Sequence, residues 1–197
     1  MPTPVASRAR RKRRPFAVGA APGTVSVDPS ALEPVIRIMG CTDDRCLDEE
    51  VGNLDDLEAL RQQWPLLWIN VDGLGDGAVI ERIGRAFGLH PLSLEDVVNV
   101  SQRPKVEQFD GYEFIVLRMV TPDDTSRVYD QMSLFVGEGF VITFQEAPGD
   151  CFDAVRERLR RRDDRLLRGG AGSLAYQLID SLIDHYFPVL EAYGERL

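Results

Sequence analysis

Two histidines and three cysteines are all that this 197-residue chain offers to thiol or soft-metal chemistry. Cys41 and Cys46 flank Thr-Asp-Asp-Arg, which is not the spacing of a zinc knuckle, and only His90 and His185 are available to complete a site. A Cys/His zinc centre therefore gains no support, and reduced thiols are the expectation for a cytosolic chain. Long apolar runs are also missing. No window reaches the ~18 consecutive apolar residues of a membrane span; the longest runs, "FIVL" and "FVITF", read as strands. The chain has no GxxxxGK[ST], HExxH or GxSxG string, and neither histidine stands where a nucleophile would need its base. The sequence reads as a non-enzyme. It has no internal repeat.

What is present begins with charge. The net charge is −9, yet residues 1–14 hold six basic residues and no acid, so the body of the chain is more acidic than the total suggests. A strongly acidic body argues against nucleic acid as the main partner and suits a protein that meets cations. The basic start lacks the apolar stretch of a secretory signal. Residues 1–32, rich in Pro, Ala, Gly and Arg, are expected to form a tail without stable structure, with anionic lipid or RNA as alternative partners for its charge.

The remainder patterns as a mixed α/β domain over 33–168. Strands are expected at "VIRIMG" and "PLLWINVDG", with a helix after Asn53 between them and a second helix, "GAVIERIGRAFG", capped by Asp76 and closed by Gly88. A short helix "HPLSLEDVVN" follows. The period then becomes two, and "PKVEQFDG", "YEFIVLRMV", "DQMSLFVGEG" and "FVITFQE" predict an antiparallel meander. Helix "CFDAVRERLRRR", a Gly-rich break and a terminal helix over 169–197 complete the chain. The pattern predicts a mixed, partly antiparallel sheet with helices on both faces. Pro188 opposes the carbonyl of Asp184, so the terminal helix is expected to kink there. It carries no stop signal before Leu197 and is expected to continue in a longer protein.

Three stretches bear on function. "WINVDGLGDGAVIERIG" has the outline of a dinucleotide turn, Gly73-x-Gly75-x-x-Ala78. Asp72 and Asp76 would repel a pyrophosphate and a helix follows where a second parallel strand is needed, so the glycines read as a tight strand-to-helix turn. In "SLED", Ser93 and Asp96 have capping-box spacing, and Glu95 with Asp96 complements a helix N-terminus. On the terminal helix, Asp180, Asp184, Glu191 and Glu195 fall within an arc of about 60°, apart from the apolar face. Such a stripe points to a cation, a basic partner or a solvated face. Oxygen-only ligands favour Mg²⁺ or Ca²⁺ over zinc.

"HPLSLEDVVNVSQRPKVEQFDGYEFIVLRMV", "FVITFQE", "FDAVRERL" and "LAYQLIDSLIDHYFPVLE" resemble, in that order, the cytoplasmic domain of CorA-type magnesium and cobalt transporters. The resemblance implies an αβα sandwich whose last helix begins a long stalk leading to two membrane helices beyond Leu197. It also implies a homopentamer in the cell inner membrane, with this part cytoplasmic and soluble as a fragment. Divalent ions, Mg²⁺ and alternatively Co²⁺, would be held between subunits and favour the closed channel. Carried over, the sensing acids fall on Glu95, Asp96, Asp180 and Asp184. A zinc-transporting relative of the same architecture and, further off, a nucleotide-binding α/β enzyme are the alternatives.

Overall fold

The computed structural model describes residues 21–120 and 129–195. Among the described residues seven strands form one sheet: β1 (Val35–Cys41), β2 (Cys46–Val51), β3 (Leu66–Asp72), β4 (Lys105–Phe109), β5 (Tyr112–Val120), β6 (Tyr129–Gly137) and β7 (Phe140–Gln145). The strand order is β2-β1-β3-β7-β6-β5-β4. Only β3 and β7 pair in parallel, Ile69 facing Ile142; every other pairing is antiparallel. These two central strands are almost wholly buried, which is why "LLWINV" and "FVITF" are apolar on both faces.

Side-chain alternation divides the core in two. On one face Ile69, Val71, Phe114, Phe135 and Phe144 pack under α1 (Leu57–Gln63), α2 (Gly77–Phe87) and α3 (Pro91–Val98). On the other, Met39, Trp68, Met132 and Val141 lie under α4 (Asp153–Arg160) and α5 (Asp164–Asp184). The fold is an αβα sandwich, as the resemblance implies, and it has the mixed sheet with helices on its faces that the pattern predicts. Asp76 accepts from the backbone N–H groups of Ala78 and Val79, and Gly88 takes the left-handed φ of 68° that ends α2. α5 starts before the glycine-rich stretch, capped by Asp163, and is interrupted by non-helical Gly170. It ends at Asp184, and a further helix, α6 (Tyr186–Gly194), resumes beyond His185. Pro188 has no N–H to give the Asp184 carbonyl, so the break falls where the ring demands it. Tyr186 Oη pins the junction by donating to the Arg118 carbonyl at 2.6 Å.

Four features depart from the sequence reading. Strand β2, "CLDEEV", is acid-rich and lacks alternation, so no strand was expected there. It is held instead by pairing with β1 and by Asp48, which accepts from Arg37 at 2.6 Å and Arg160 at 2.7 Å. Burial opposes the Asp48 charge, but these two guanidinium groups prevail and lower its pKa. Cys41 and Cys46 face one another across that hairpin and form a disulfide, correcting the expectation of three reduced thiols. The capping box is also corrected. The N-cap of α3 is His90, whose Nδ1 accepts from the Leu92 N–H, while Ser93 is a buried helix residue bonding back to the His90 carbonyl. Finally, the stretch expected to be an unstructured tail is, over 21–32, a strap on the α2–α3 side, with Val25 and Val27 packed against the core. The basic residues 1–20 lie outside the described residues.

Candidate cation site and the strap beside it

Glu95 and Asp96 sit half-buried on α3, and each already has partners within the chain. The Gly23 N–H donates to Glu95 Oε2 at 2.7 Å. Gly23 adopts φ 82° and rests so closely on Pro91 that a Cβ would lie 2.7 Å from the proline Cβ, so glycine is required there. Asp96 Oδ1 accepts from the Gln102 side chain at 2.6 Å, and Oδ2 meets Lys105 Nζ at 2.6 Å. Lys105 also reaches Glu107 at 2.9 Å. Partial burial works against the Lys105 charge, yet the two carboxylates outweigh it and raise its pKa. Gln131 braces the cluster, donating to the Asp96 carbonyl at 2.9 Å and accepting from the Gln102 N–H at 3.1 Å.

Asp180 and Asp184 are in a different condition. Both are exposed on α5, one turn apart and away from buried Leu174, Leu178 and Leu182. Neither forms an ion pair among the described residues. Glu191, on α6, is exposed as well.

The two acid pairs do not come together in one chain. α3 covers one face of the sheet and α5 the other. Among the described residues, no three His, Cys, Asp or Glu side chains are close enough to share a metal ion. The partners of Glu95 and Asp96 were not legible beforehand. Gly23 lies in a stretch whose composition reads as tail, and Gln102 and Lys105 lie beyond α3, where only the folded chain returns them.

The glycine turn has a structural account. The Gly73 N–H, at φ 107°, donates to the Gln145 carbonyl at 3.0 Å, and the Gly75 N–H donates to Leu32 O at 2.7 Å. A Cβ on Gly73 would stand 2.5 Å from Glu33 O, and one on Gly75 2.7 Å from Leu32 O. The glycines admit the strap, and the Gly75 N–H that a phosphate would need is taken by the chain itself. The parallel neighbour of β3 is β7, reached only after the meander rather than directly after α2. The nucleotide-enzyme alternative is thereby set aside.

The fold is shared by the soluble domain of CorA from Methanocaldococcus jannaschii, with a TM-score of 0.61 at 12% identity, over 82% of this chain and 60% of that one. The cytoplasmic domain of ZntB from Vibrio parahaemolyticus is comparable, with a TM-score of 0.60 at 14% identity, over 82% of this chain and 64% of that one. These likenesses show the αβα fold that this chain shares with the soluble and cytoplasmic domains of those proteins. In sequence, residues 65–197 match the family described as CorA-like Mg²⁺ transporter protein. The cobalt/magnesium transport protein CorA of Thermotoga maritima is 37% identical over 189 residues, which is 94% of this chain and 54% of that protein. The chain belongs to the CorA-like Mg²⁺ transporter family, and it spans about half the length of that curated relative. Among the described residues no helix is long and apolar enough to cross a membrane.

Proposed function

We propose that this chain is the cytoplasmic, cation-sensing part of a magnesium or cobalt transporter of the cell inner membrane, assembled as a homopentamer. The observation that carries this reading is the placement of the acids: a half-buried, partnered pair on α3 and an exposed, unpaired pair on α5, on opposite faces of one sheet. A hard cation bridging Asp180 and Asp184 of one subunit to Glu95 and Asp96 of another would use both pairs. Mg²⁺ suits such a site, since it keeps much of its water and takes one or two carboxylates. Tyr176, Ile183, Phe187 and Leu190 are large apolar side chains left exposed on α5 and α6, which supports packing against a neighbouring subunit. Ion bridges between subunits would hold the assembly in one arrangement, and we assign that arrangement to the closed state.

A Mg²⁺ titration followed by melting temperature and by sedimentation tests the reading. Wild type is expected to gain stability and mass together as Mg²⁺ rises through the millimolar range, because an ion that binds only the assembled fold stabilises it by mass action. The double variant Asp180→Asn with Asp184→Asn is expected to do neither while keeping its fold. An unchanged Mg²⁺ response in that variant would sink the site. The likeness to the ZntB cytoplasmic domain supports a second reading, a zinc transporter. Zn²⁺ replacing Mg²⁺ at tenfold lower concentration or less would favour it.

A further inference from the structure

Beneath α4 and α5, the ends of the central parallel pair carry a polar cluster separate from the acids above, in which Asn70, Gln145 and Arg156 are buried and Asp72 is half-buried. Gln145 Nε2 on β7 lies 2.9 Å from Asn70 Oδ1, 3.1 Å from Asp72 Oδ1 and 3.2 Å from Asp150 Oδ2. Arg156 on α4 forks onto Asp150, with Nη1 2.8 Å from Oδ1 and Nη2 on Oδ2, and its guanidinium lies 5.2 Å from the centre of the Trp68 ring. The Asp150 and Arg156 side chains are 4% and 9% exposed, so this pair has little contact with water. Gln145 Oε1 and Arg156 Nε are buried without partners. The cluster thus holds two carboxylates against one guanidinium, and low-dielectric surroundings make the surplus negative charge costly.

The cluster is tied to α5. Asp150 Oδ1 accepts the Phe152 N–H at 2.9 Å and so shapes the turn at 150–152. The carbonyl of Cys151 in that turn accepts from Ser181 Oγ on α5 at 2.6 Å. Ser181 adjoins Asp180 and lies three residues before Asp184.

We propose that Asp72, Gln145, Asp150 and Arg156 form a proton-binding site that sets how firmly α5 is tied to the sheet through the 150–152 turn. With Asp72 protonated, one carboxylate faces one guanidinium, and Asp150 is free to hold both Arg156 and the turn. With Asp72 ionised, the second charge competes for Gln145 and Arg156 and weakens the hold on the turn. Burial first, then the Asp150 charge, push the Asp72 carboxyl up to about 6, which places the exchange near neutral pH. Arg156 keeps Asp150 ionised against the cost of burying it. Burial pushes the Cys151 thiol up to about 11, so it stays neutral. Asp153 is exposed and bonded to Arg156. Glu146 turns to the other side of β7, where its carboxylate accepts the Gln131 N–H. At the C-cap of α5, exposed His185 places Nδ1 2.9 Å from the Ser181 carbonyl.

Carbon-detected NMR of the aspartate carboxyls, with amide exchange along α5 at about pH 5.5 and 7.5 corrected for intrinsic rates, tests this on the whole chain. Wild type is expected to give an Asp72 midpoint near 6, with protection at Ser181–Asp184 falling several-fold at the higher pH. Asp72→Asn, which imitates the protonated form, should keep high protection at both pH values. Ser181→Ala should keep the midpoint and show low protection at both, which carries the test if Asp72→Asn does not fold. An Asp72 midpoint below about 5, protection independent of pH in wild type, or a response abolished by His185→Gln would overturn the proposal.

Discussion

Lys105 Nζ lies 2.6 Å from Asp96 Oδ2, so one of the proposed sensing carboxylates is already neutralised within its own chain. Any cation arriving from a neighbour competes with this ammonium group. The contact is partly exposed, both side chains being about a quarter accessible, so it contributes little to stability itself. Lys105→Met is expected to leave the melting temperature within a few degrees and to tighten Mg²⁺ binding by on the order of tenfold. Isothermal titration of wild type and variant checks it; equal affinities would place Asp96 outside the site.

The strap predicts a stability effect at a turn with no ligand. Because a Cβ on Gly75 would press on the Leu32 carbonyl, Gly75→Ala should cost about 1–3 kcal/mol. Urea unfolding measures the loss. ATP or NAD should leave the midpoint of either protein unmoved.

The raised Asp72 pKa predicts an unusual pH profile. The folded state holds this proton up to about pH 6, whereas the unfolded chain releases it near 3.8. Between those values the folded state binds more protons, so stability falls as pH rises, by on the order of 2 kcal/mol across the window. Asp48, Asp150 and Asp163 have lowered values and act in the opposite sense, their stabilisation being lost only as pH drops below the ordinary carboxylate range. Denaturant midpoints at about pH 4.5 and 7 should therefore differ in wild type and converge in Asp72→Asn. A flat wild-type profile over that window contradicts the linkage.

Leu178, on the buried face of α5 with Leu174 and Leu182, is fully buried. Truncation to alanine removes packing that α6 and the strap do not replace, so Leu178→Ala should destabilise by about 2–5 kcal/mol. Ile183→Ala, on the exposed side of the same helix, should cost under about 1 kcal/mol in the isolated chain. Thermal unfolding of the pair distinguishes a seated helix from one lying free of the sheet.

Local rules reach far in this chain. Apolar runs marked β3 and β7 as strands, Asp76 and Gly88 set the ends of α2, and Pro188 set the break after Asp184, because each depends on neighbours a few residues away. The exposure of Asp180 and Asp184 was legible in the same way, since helical period alone turns them from the apolar face. Tertiary structure decided the rest, and in each case through contacts between residues distant in sequence. Strand β2 exists because β1 offers a free edge and Arg160 reaches Asp48. Gly23 finds Glu95 across seventy-two residues, and the glycines at 73 and 75 serve a strap that no local pattern announces. The opposite-face placement of the two acid pairs, and the burial that raises Asp72, follow from sheet order. A sequence shows which side of its own helix or strand a residue takes; only the packed sheet determines which charges meet and which are kept from water.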